Sequence, residues 1–235
     1  MKVKLLAYTK KAEETVVASI RQCYSSDGAG NLQKKTDKET RERLIRQVIG
    51  SGHTSTLEHA SFTFAIEGVS RVTEIQLIRH RIASYSIQSG RYLKRGEVKY
   101  TIPDSIKADK LLLKKYEKFL KEANNLYNEL TDKGIKAQDA RYCQPQSLQT
   151  KIVVTMNARE LLHFFEKRLC LRAQWEIREM AGKMLKEVRK VAPIIFENAG
   201  ASCISNGICY EGNLSCGLWE KIPGAILKSR GGKSD

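Results

Sequence analysis

The residues with the clearest chemical potential lie between positions 79 and 92, where three arginines, one histidine and three serines occur in one short segment. Guanidinium groups bind phosphate or carboxylate through paired hydrogen bonds, and hydroxyls and turn amides add further donors. A solvated basic surface would account for an isolated Arg79-His80-Arg81 triplet. The Ser89-Gly90-Arg91-Tyr92 segment that follows favours a site for an anionic ligand, because its turn amides and hydroxyls complete an anion-binding nest.

The composition of the chain agrees with anionic partners. Lysine and arginine number 41 against 26 acidic residues, which gives a formal net charge of +15. Such a charge favours phosphorylated ligands or nucleic acid but indicates nothing about the fold. With 235 residues, 41% of them hydrophobic, the chain can bury one good core. It shows neither a signal-peptide pattern nor an apolar run of about 20 residues, so we expect a cytoplasmic protein with reduced cysteines.

The elements that position these groups follow from hydrophobic periodicity. It predicts strands at 3–8, 61–66 and 151–156, and helices at 10–23, 38–50, 69–83, 104–133, from 157 onward and at 173–191. A helix over 69–83 places Gln76, Arg79 and His80 on one face and Arg81 on another. This helix would therefore present cations to two ligands, or to two parts of one ligand.

Two further clusters leave alternatives open. The segment from His53 to His59 is either a capped helix with two incidental histidines, a metal site or a small-molecule pocket, and its spacing matches no strong zinc pattern. Downstream, Arg159, His163 and Lys167 recur every four residues. They either pair with neighbouring glutamates or reach into a shared cleft.

The cysteines near the carboxyl end have the pattern Cys203-x5-Cys209-x6-Cys216. No C-x2-C pair is present, and three cysteines leave one zinc ligand missing. We therefore predict small buried side chains or free thiols there, and no metal site. The chain also lacks a Gly-x-Ser-x-Gly elbow, a phosphate-binding Walker loop and a dinucleotide-binding glycine motif, so it has no obvious covalent nucleophile.

The triplet Arg79-His80-Arg81, followed by seven residues and Ser89, resembles the signature of flavin-dependent thymidylate synthases. Gln76 stands three residues before the triplet, as in that family. Similar elements occur in order at 53–59, 157–178 and 199–217, so the resemblance spans roughly residues 1 to 217. The chain departs from the family at Ser86, where Asn is frequent, and at Ile87, where Glu is common.

The resemblance implies an α/β fold in one domain, with a small, mostly antiparallel sheet flanked by helices and an additional helical region. It implies a catalytic domain over 1–218, and the composition of the end of the chain predicts a basic, partly disordered tail over 219–235. It also implies a homotetramer with shared active sites. The expected activity is reductive methylation of dUMP to dTMP, with methylenetetrahydrofolate as one-carbon donor and NADPH as reductant through bound FAD.

The resemblance further implies roles for individual residues. The expected dUMP-binding residues are Gln76, Arg79, Ser89, Gly90, Arg91, Arg141 and Arg168. The expected FAD-binding residues are Ser55, Glu58, Arg79, His80, Arg81, Asn157, Arg159 and His163, with Cys23 or Ser25 nearby. His53 and Tyr92 are candidates for the flavin face where folate stacks.

Two of these residues have further chemical implications. Arg168 is the expected catalytic residue, because a fixed positive charge at the pyrimidine carbonyl edge stabilises developing negative charge. Ser89 is assigned to the phosphate, since a serine hydroxyl without an adjacent base is a poor nucleophile.

A different class of function also fits the charge. A basic nucleic-acid-binding module is suggested by the net charge and by the lysine-rich helix predicted over 105–133. The aromatic residues do not form a stacking platform, however, and no RNA-binding signature occurs. We therefore expect no nucleic-acid partner.

Overall fold

The computed structural model describes residues 1–34, 36–90 and 98–228, apart from the side chains of residues 33 and 34. The candidates Arg91 and Tyr92 lie outside the described residues, as do residues 229–235 of the basic tail. Within the described ranges, no helix combines the length and the apolar character needed to cross a bilayer.

Four strands form the main sheet, in the order β1-β2-β4-β3 and with antiparallel pairing. The strands are β1 (Lys2–Tyr8), β2 (Ser61–Ser70), β3 (Ala83–Ile87) and β4 (Gln149–Asn157). Phe62, Phe64 and Ile66 of β2 are fully buried, as expected when alternate side chains of a strand face the core. Two short parallel strands, β5 (Ile208–Cys209) and β6 (Ile226–Leu227), form a second sheet. The predicted α/β fold with a small antiparallel sheet is confirmed.

The helices follow the predicted order with some changes of boundary. They are α1 (Ala12–Gln22), α2 (Ala29–Lys34), α3 (Lys38–Gly50), α4 (Arg71–Leu77), α5 (Asp104–Lys107), α6 (Lys110–Asp132), α7 (Ala137–Ala140), α8 (Ala158–Arg168), α9 (Trp175–Val191) and α10 (Ser202–Ser205). The predicted long helix is divided because Asp109 caps a new start, accepting hydrogen bonds from Leu111 and Leu112 N–H at 2.8 and 3.1 Å. Gly134, with φ +85°, follows α6 as predicted.

The prediction of a single helix over 69–83 is wrong. Helix α4 ends at Leu77, and the chain enters strand β3 at Ala83. The hydroxyl of Tyr85 in β3 donates to the Leu77 carbonyl at 2.9 Å, which satisfies one carbonyl that the helix end leaves open. Arg79 and His80 therefore lie beyond the helix, and the predicted face shared with Gln76 does not exist.

Of the three alternatives for the segment from His53 to His59, the capped α-helix is not found. Residues Thr54–His59 form a short 3₁₀ helix that is preceded by His53, which makes no side-chain cap. Ser55 thus lies inside this turn and not at the start of an α-helix.

The described chain forms two compact units, each built from three segments. Unit 1 comprises Met1–Lys2, Ala65–Arg79 and Tyr85–Val153, and unit 2 comprises Val3–Phe64, His80–Ser84 and Val154–Asp235. The chain passes from one unit to the other within each strand of the main sheet and also between Arg79 and His80. This interleaving agrees with the prediction of one domain, whereas the boundary at residue 218 stays a prediction.

Aromatic rings fill the core of unit 2. Phe62 and Phe196 meet edge to face with ring centroids 5.4 Å apart, and Phe196 meets Phe165 at 5.9 Å. Phe165 contacts Phe164 at 5.6 Å. Edge-to-face pairs of this kind add stabilisation beyond the area that they bury. They fix α8, the helix with the most candidate site residues, against the core.

Candidate active site

Strand β4 continues into helix α8 with no intervening loop. Asn157 ends the strand and caps the helix, because its side-chain oxygen accepts a hydrogen bond from Glu160 N–H at 2.8 Å. The next residue, Ala158, donates its N–H to the Ala60 carbonyl at 2.8 Å. The start of α8 is therefore fixed at both its cap and its first residue, as the predicted start at Asn157 requires.

The apolar side of α8 determines where its polar groups lie. Leu161, Phe164 and Phe165 are fully buried and recur at the spacing of one helical face. Arg159 and His163 lie elsewhere on the helix and are exposed. The helix thus presents basic groups to solvent while its aromatic face holds it in the core.

A chain of three side chains links the end of α8 to its beginning. The Nε–H of Arg168 donates to His80 Nε2 at 3.0 Å, and His80 Nδ1 lies 3.0 Å from Glu160 Oε1. A guanidinium group can only donate, so Nε2 must be the acceptor. The neutral imidazole then carries its proton on Nδ1, and this N–H donates a hydrogen bond to Glu160 Oε1. The geometry therefore fixes one tautomer of His80.

The surroundings of His80 keep it uncharged. Burial lowers the pKa of His80 to about 4, and the nearby charges of Arg168 and His163 act in the same direction. The ring is only 6% exposed and makes edge contacts with Phe164 and His163, with centroids 4.9 and 5.8 Å apart. Burial also raises the pKa of Glu160, an effect that His163 opposes. At neutral pH His80 is thus a neutral acceptor for Arg168.

Further candidate residues lie on the surface of unit 2. Arg159 forms an ion pair with Glu58, and both side chains are about half exposed. Ser55 is exposed, whereas the Oγ1 atom of the adjacent Thr56 is buried and has no hydrogen-bond partner within the described part of the chain. A buried hydroxyl without a partner is costly, so a ligand that bonds to it would gain free energy.

A cavity of about 610 Å³ opens between α1 and α3. Ser25 and His53, two of the sequence candidates, line it, whereas Cys23 is exposed and does not. Arg21 and Arg43 also line it. These two arginines were not predicted, because neither belongs to a recognisable motif.

The described candidates for dUMP fall mainly in unit 1. Gln76 lies on α4, Arg79 is exposed beyond its end, and Ser89 is half-buried beside the buried Gly90. Arg141 is exposed, and its Nε–H donates to the Gln138 carbonyl at 3.1 Å. Arg81, assigned to FAD, is exposed in unit 2.

Comparison with known proteins decides the family. The family model described as thymidylate synthase complementing protein matches residues 4–194. A flavin-dependent thymidylate synthase of Geobacter sulfurreducens is 46% identical over 92% of this chain and 94% of its own length. The corresponding protein of Pyrococcus horikoshii is 48% identical over 98% of this chain and 96% of its own. The chain belongs to the flavin-dependent thymidylate synthase family.

Solved structures agree with this family. The UMP/dUMP methylase PolB of Streptomyces cacaoi, in a crystal structure with 5-Br dUMP, superposes with a TM-score of 0.73 and 26% identity. The match covers 83% of this chain and 93% of that protein. The resemblance inferred from the Arg79-His80-Arg81 triplet is thus confirmed at the level of the family.

In this member of the flavin-dependent thymidylate synthase family, Cys170 of the matched region comes together with three cysteines that lie beyond it, Cys203, Cys209 and Cys216. Cys203 and Cys209 belong to one buried cluster, against which Cys170 and Trp219 pack. The Cys209 thiol lies 3.5 Å from the Ser215 hydroxyl, next to Cys216 in the chain. Cys170 was not predicted as part of this cluster, since no spacing rule links it to cysteines more than thirty positions away.

These cysteines are free thiols. Burial raises the pKa of Cys170 and of Cys203, and the neighbouring thiols add to the effect. Among the described residues, no group of three or more His, Cys, Asp or Glu is arranged to hold a metal ion. Cys170 and Cys203 therefore stand in the structure as protonated thiols packed with apolar side chains.

Proposed function

We propose that the protein converts dUMP to dTMP by reductive methylation, with methylenetetrahydrofolate as one-carbon donor, NADPH as reductant and FAD as bound cofactor. The observation that carries this proposal is the Arg168 guanidinium held by the neutral His80 ring in a chain of this family. The names of its relatives and the 5-Br dUMP bound to its structural neighbour support the same substrate and cofactor.

The proposed reaction balances as dUMP, methylenetetrahydrofolate, NADPH and a proton giving dTMP, tetrahydrofolate and NADP⁺. A C5–H bond of uracil is exchanged for a C5–CH₃ bond. When bound, FAD supplies the hydride-transfer chemistry between NADPH and the one-carbon unit. No cysteine or serine of the protein has to attack the pyrimidine, in agreement with a sequence that lacks an activated nucleophile.

The residues of unit 2 fit FAD. The Arg159 guanidinium suits a diphosphate, and the carboxylate of Glu58 suits the hydroxyls of a ribose or ribityl chain. The buried Thr56 hydroxyl offers a further bond. We assign FAD binding to Ser55, Glu58, Arg81, Asn157, Arg159 and His163, with Arg79 and His80 as further candidates.

His80 acts on FAD less directly than the other candidates. Both of its ring nitrogens are hydrogen-bonded to protein side chains, to Arg168 and to Glu160. Its contact with the cofactor is therefore limited to a ring edge or the backbone, and its main role is to hold Arg168.

The proposed dUMP set binds both ends of the nucleotide. Gln76, Arg79, Ser89, Gly90, Arg91 and Arg141 supply donors for the phosphate and sugar. Arg168 lies at the pyrimidine carbonyl edge, where its charge stabilises the negative charge that develops on the ring as C5 forms its new bond. His53 and Tyr92 close the face on which folate stacks.

We also propose a homotetramer in the cytoplasm, with residues 1–218 as the catalytic domain and 219–235 as a tail. Large apolar side chains are exposed on α6 at Leu111, Leu112, Phe119 and Leu126. Exposed apolar groups in such number on one helix are typical of a protein–protein interface. Sedimentation or light scattering would give four times the 26.6 kDa of one chain.

A direct assay tests the proposed function. Purified protein should be yellow, with a flavin absorption spectrum, and dUMP should change its rate of NADPH oxidation. Formation of dTMP, measured by chromatography, should require methylenetetrahydrofolate. A colourless protein that FAD does not reconstitute, yet that binds nucleic acid with a steep salt dependence, would contradict the proposal.

A further inference from the structure

Glu160 is a buried carboxylate that the proposed binding of dUMP and FAD does not use. It is the third residue of α8, three positions after the cap residue Asn157. In a capping box the acid at this position turns back to the N–H of the cap residue. Here one carboxylate oxygen instead lies 3.0 Å from His80 Nδ1, and the residue is only 7% exposed. Burying a carboxylate costs free energy, so the burial of Glu160 beside His80 needs an explanation.

Hydrogen-bond direction supplies that explanation. A neutral imidazole can carry its proton on either nitrogen, and the neighbours decide which. With Glu160 accepting, the proton stays on Nδ1 and the lone pair of Nε2 faces Arg168. With the proton on Nε2, two donors would face each other across the 3.0 Å that separates His80 from Arg168. The bond to Arg168 thus depends on an acceptor at the far side of the ring.

We infer that Glu160 is a positioning residue that orients the Arg168 guanidinium by selecting the tautomer of His80. The inference rests on the proposed function in one respect, since Arg168 has to act on the nucleotide for its orientation to affect turnover. Glu160 touches neither nucleotide nor cofactor in this scheme. It acts through one ring and two hydrogen bonds, each 3.0 Å long.

Three variants test this inference. Glu160→Gln keeps an acceptor oxygen of similar size, whereas Glu160→Met and Glu160→Leu remove it and still favour a helix. Glu166→Met is the matched control, because Glu166 lies on the same helix but accepts from Asn206 instead of His80. All are made in the full chain and assayed with saturating FAD.

We expect Glu160→Met and Glu160→Leu to lower kcat on the order of tenfold to a hundredfold, the usual effect of losing a group that orients a functional side chain. Glu160→Gln should restore most of the rate, and Glu166→Met should leave it unchanged. FAD affinity, measured by flavin fluorescence, should stay the same in all four variants.

Histidine ¹⁵N NMR without substrate measures the tautomer of His80, which would not change if Glu160 had only a structural role. His80 should carry its proton on Nδ1 in the wild type and in Glu160→Gln, and shift toward Nε2 in Glu160→Met and Glu160→Leu. An unchanged tautomer in the last two, or equal losses of kcat in all three Glu160 variants, would overturn the inference. A wild type that forms no dTMP would overturn the proposed function, and the tautomer pattern would still decide whether Glu160 selects the tautomer.

Discussion

At the scale of single residues, the triplet Arg79-His80-Arg81 divides into one buried and two exposed side chains. Both arginines are exposed, and His80 lies in the core. Only the imidazole of the three can enter an apolar environment without a charge. The triplet is therefore more than a basic surface patch, because its central residue, His80, accepts a hydrogen bond from Arg168, which lies 88 residues further along the chain.

Arg168 is the first residue to test. Arg168→Ala should abolish dTMP formation, with a loss of at least about a hundredfold in kcat, because removing one group that stabilises transition-state charge has this effect. FAD should remain bound, as the visible spectrum would report. Arg46→Ala, which removes a surface arginine that pairs with Glu197, is the control and should keep full turnover. Near-normal turnover in Arg168→Ala would remove the catalytic assignment.

The pKa of His80 should report the burial of its ring. Its pKa of about 4 in the folded protein lies below the ordinary value of 6.5. The unfolded chain therefore takes up this proton more readily, and His80 lowers the free energy of unfolding as the pH falls from about 6.5 toward 4. A ¹⁵N NMR titration should find the ring neutral at pH 6. A midpoint near 6.5 would show that the ring is not shielded from water.

The sequence predicted which residues belong to the candidate site better than it predicted the hydrogen bonds between them. Asn157 was identified as a helix start, and the candidate arginines follow from the family signature. The bond between His80 and Arg168 spans 88 residues, and that between His80 and Glu160 spans 80. Spacing rules apply within one helix or strand, so neither contact could be derived from the chain order.

At the scale of elements, boundaries were predicted well where a local signal marks them. Helix α3 begins and ends as predicted, with Asp37 accepting from Thr40 N–H at 2.8 Å at its start. Helix α4 ends early because the residues from Ala83 join the main sheet. The apolar Ile78 and Ile82 continue the helical pattern in sequence, yet both are exposed. Strand pairing with distant residues outweighed the local periodicity.

The cap of α8 gives a prediction at this scale. Asn157→Ala removes the acceptor for Glu160 N–H and should lower the free energy of unfolding by about 1 kcal/mol, the usual effect of losing a cap. Urea denaturation of the FAD-free protein measures it. Asn157→Asp keeps the acceptor and should be close to the wild type. Equal stability of the alanine variant would mean that the Ala158–Ala60 hydrogen bond alone fixes the helix start.

At the scale of the whole molecule, the six cysteines should separate into reactivity classes. Cys23 and Cys216 are exposed, whereas Cys203 and Cys209 are buried. The raised pKa of Cys170 and of Cys203 also keeps these thiols protonated, and the thiolate is the reactive form. Iodoacetamide at pH 7.5, followed by peptide mass spectrometry, should modify Cys23 and Cys216 first. Early modification of Cys203 would contradict the buried cluster. In urea, where the protein is unfolded, all six cysteines should react with iodoacetamide at similar rates.

The loop-free passage from β4 to α8 has a consequence for changes of chain length. One residue inserted between Asn157 and Ala158 would turn every later side chain of α8 by about 100° relative to the strand. Glu160 would no longer lie beside His80, and Phe164 and Phe165 would no longer face the core. Insertions and deletions at this junction should therefore be lost from natural variation, whereas surface turns accept them. The distance along the chain from strand to helix is as much a part of the active site as the identity of any residue in it.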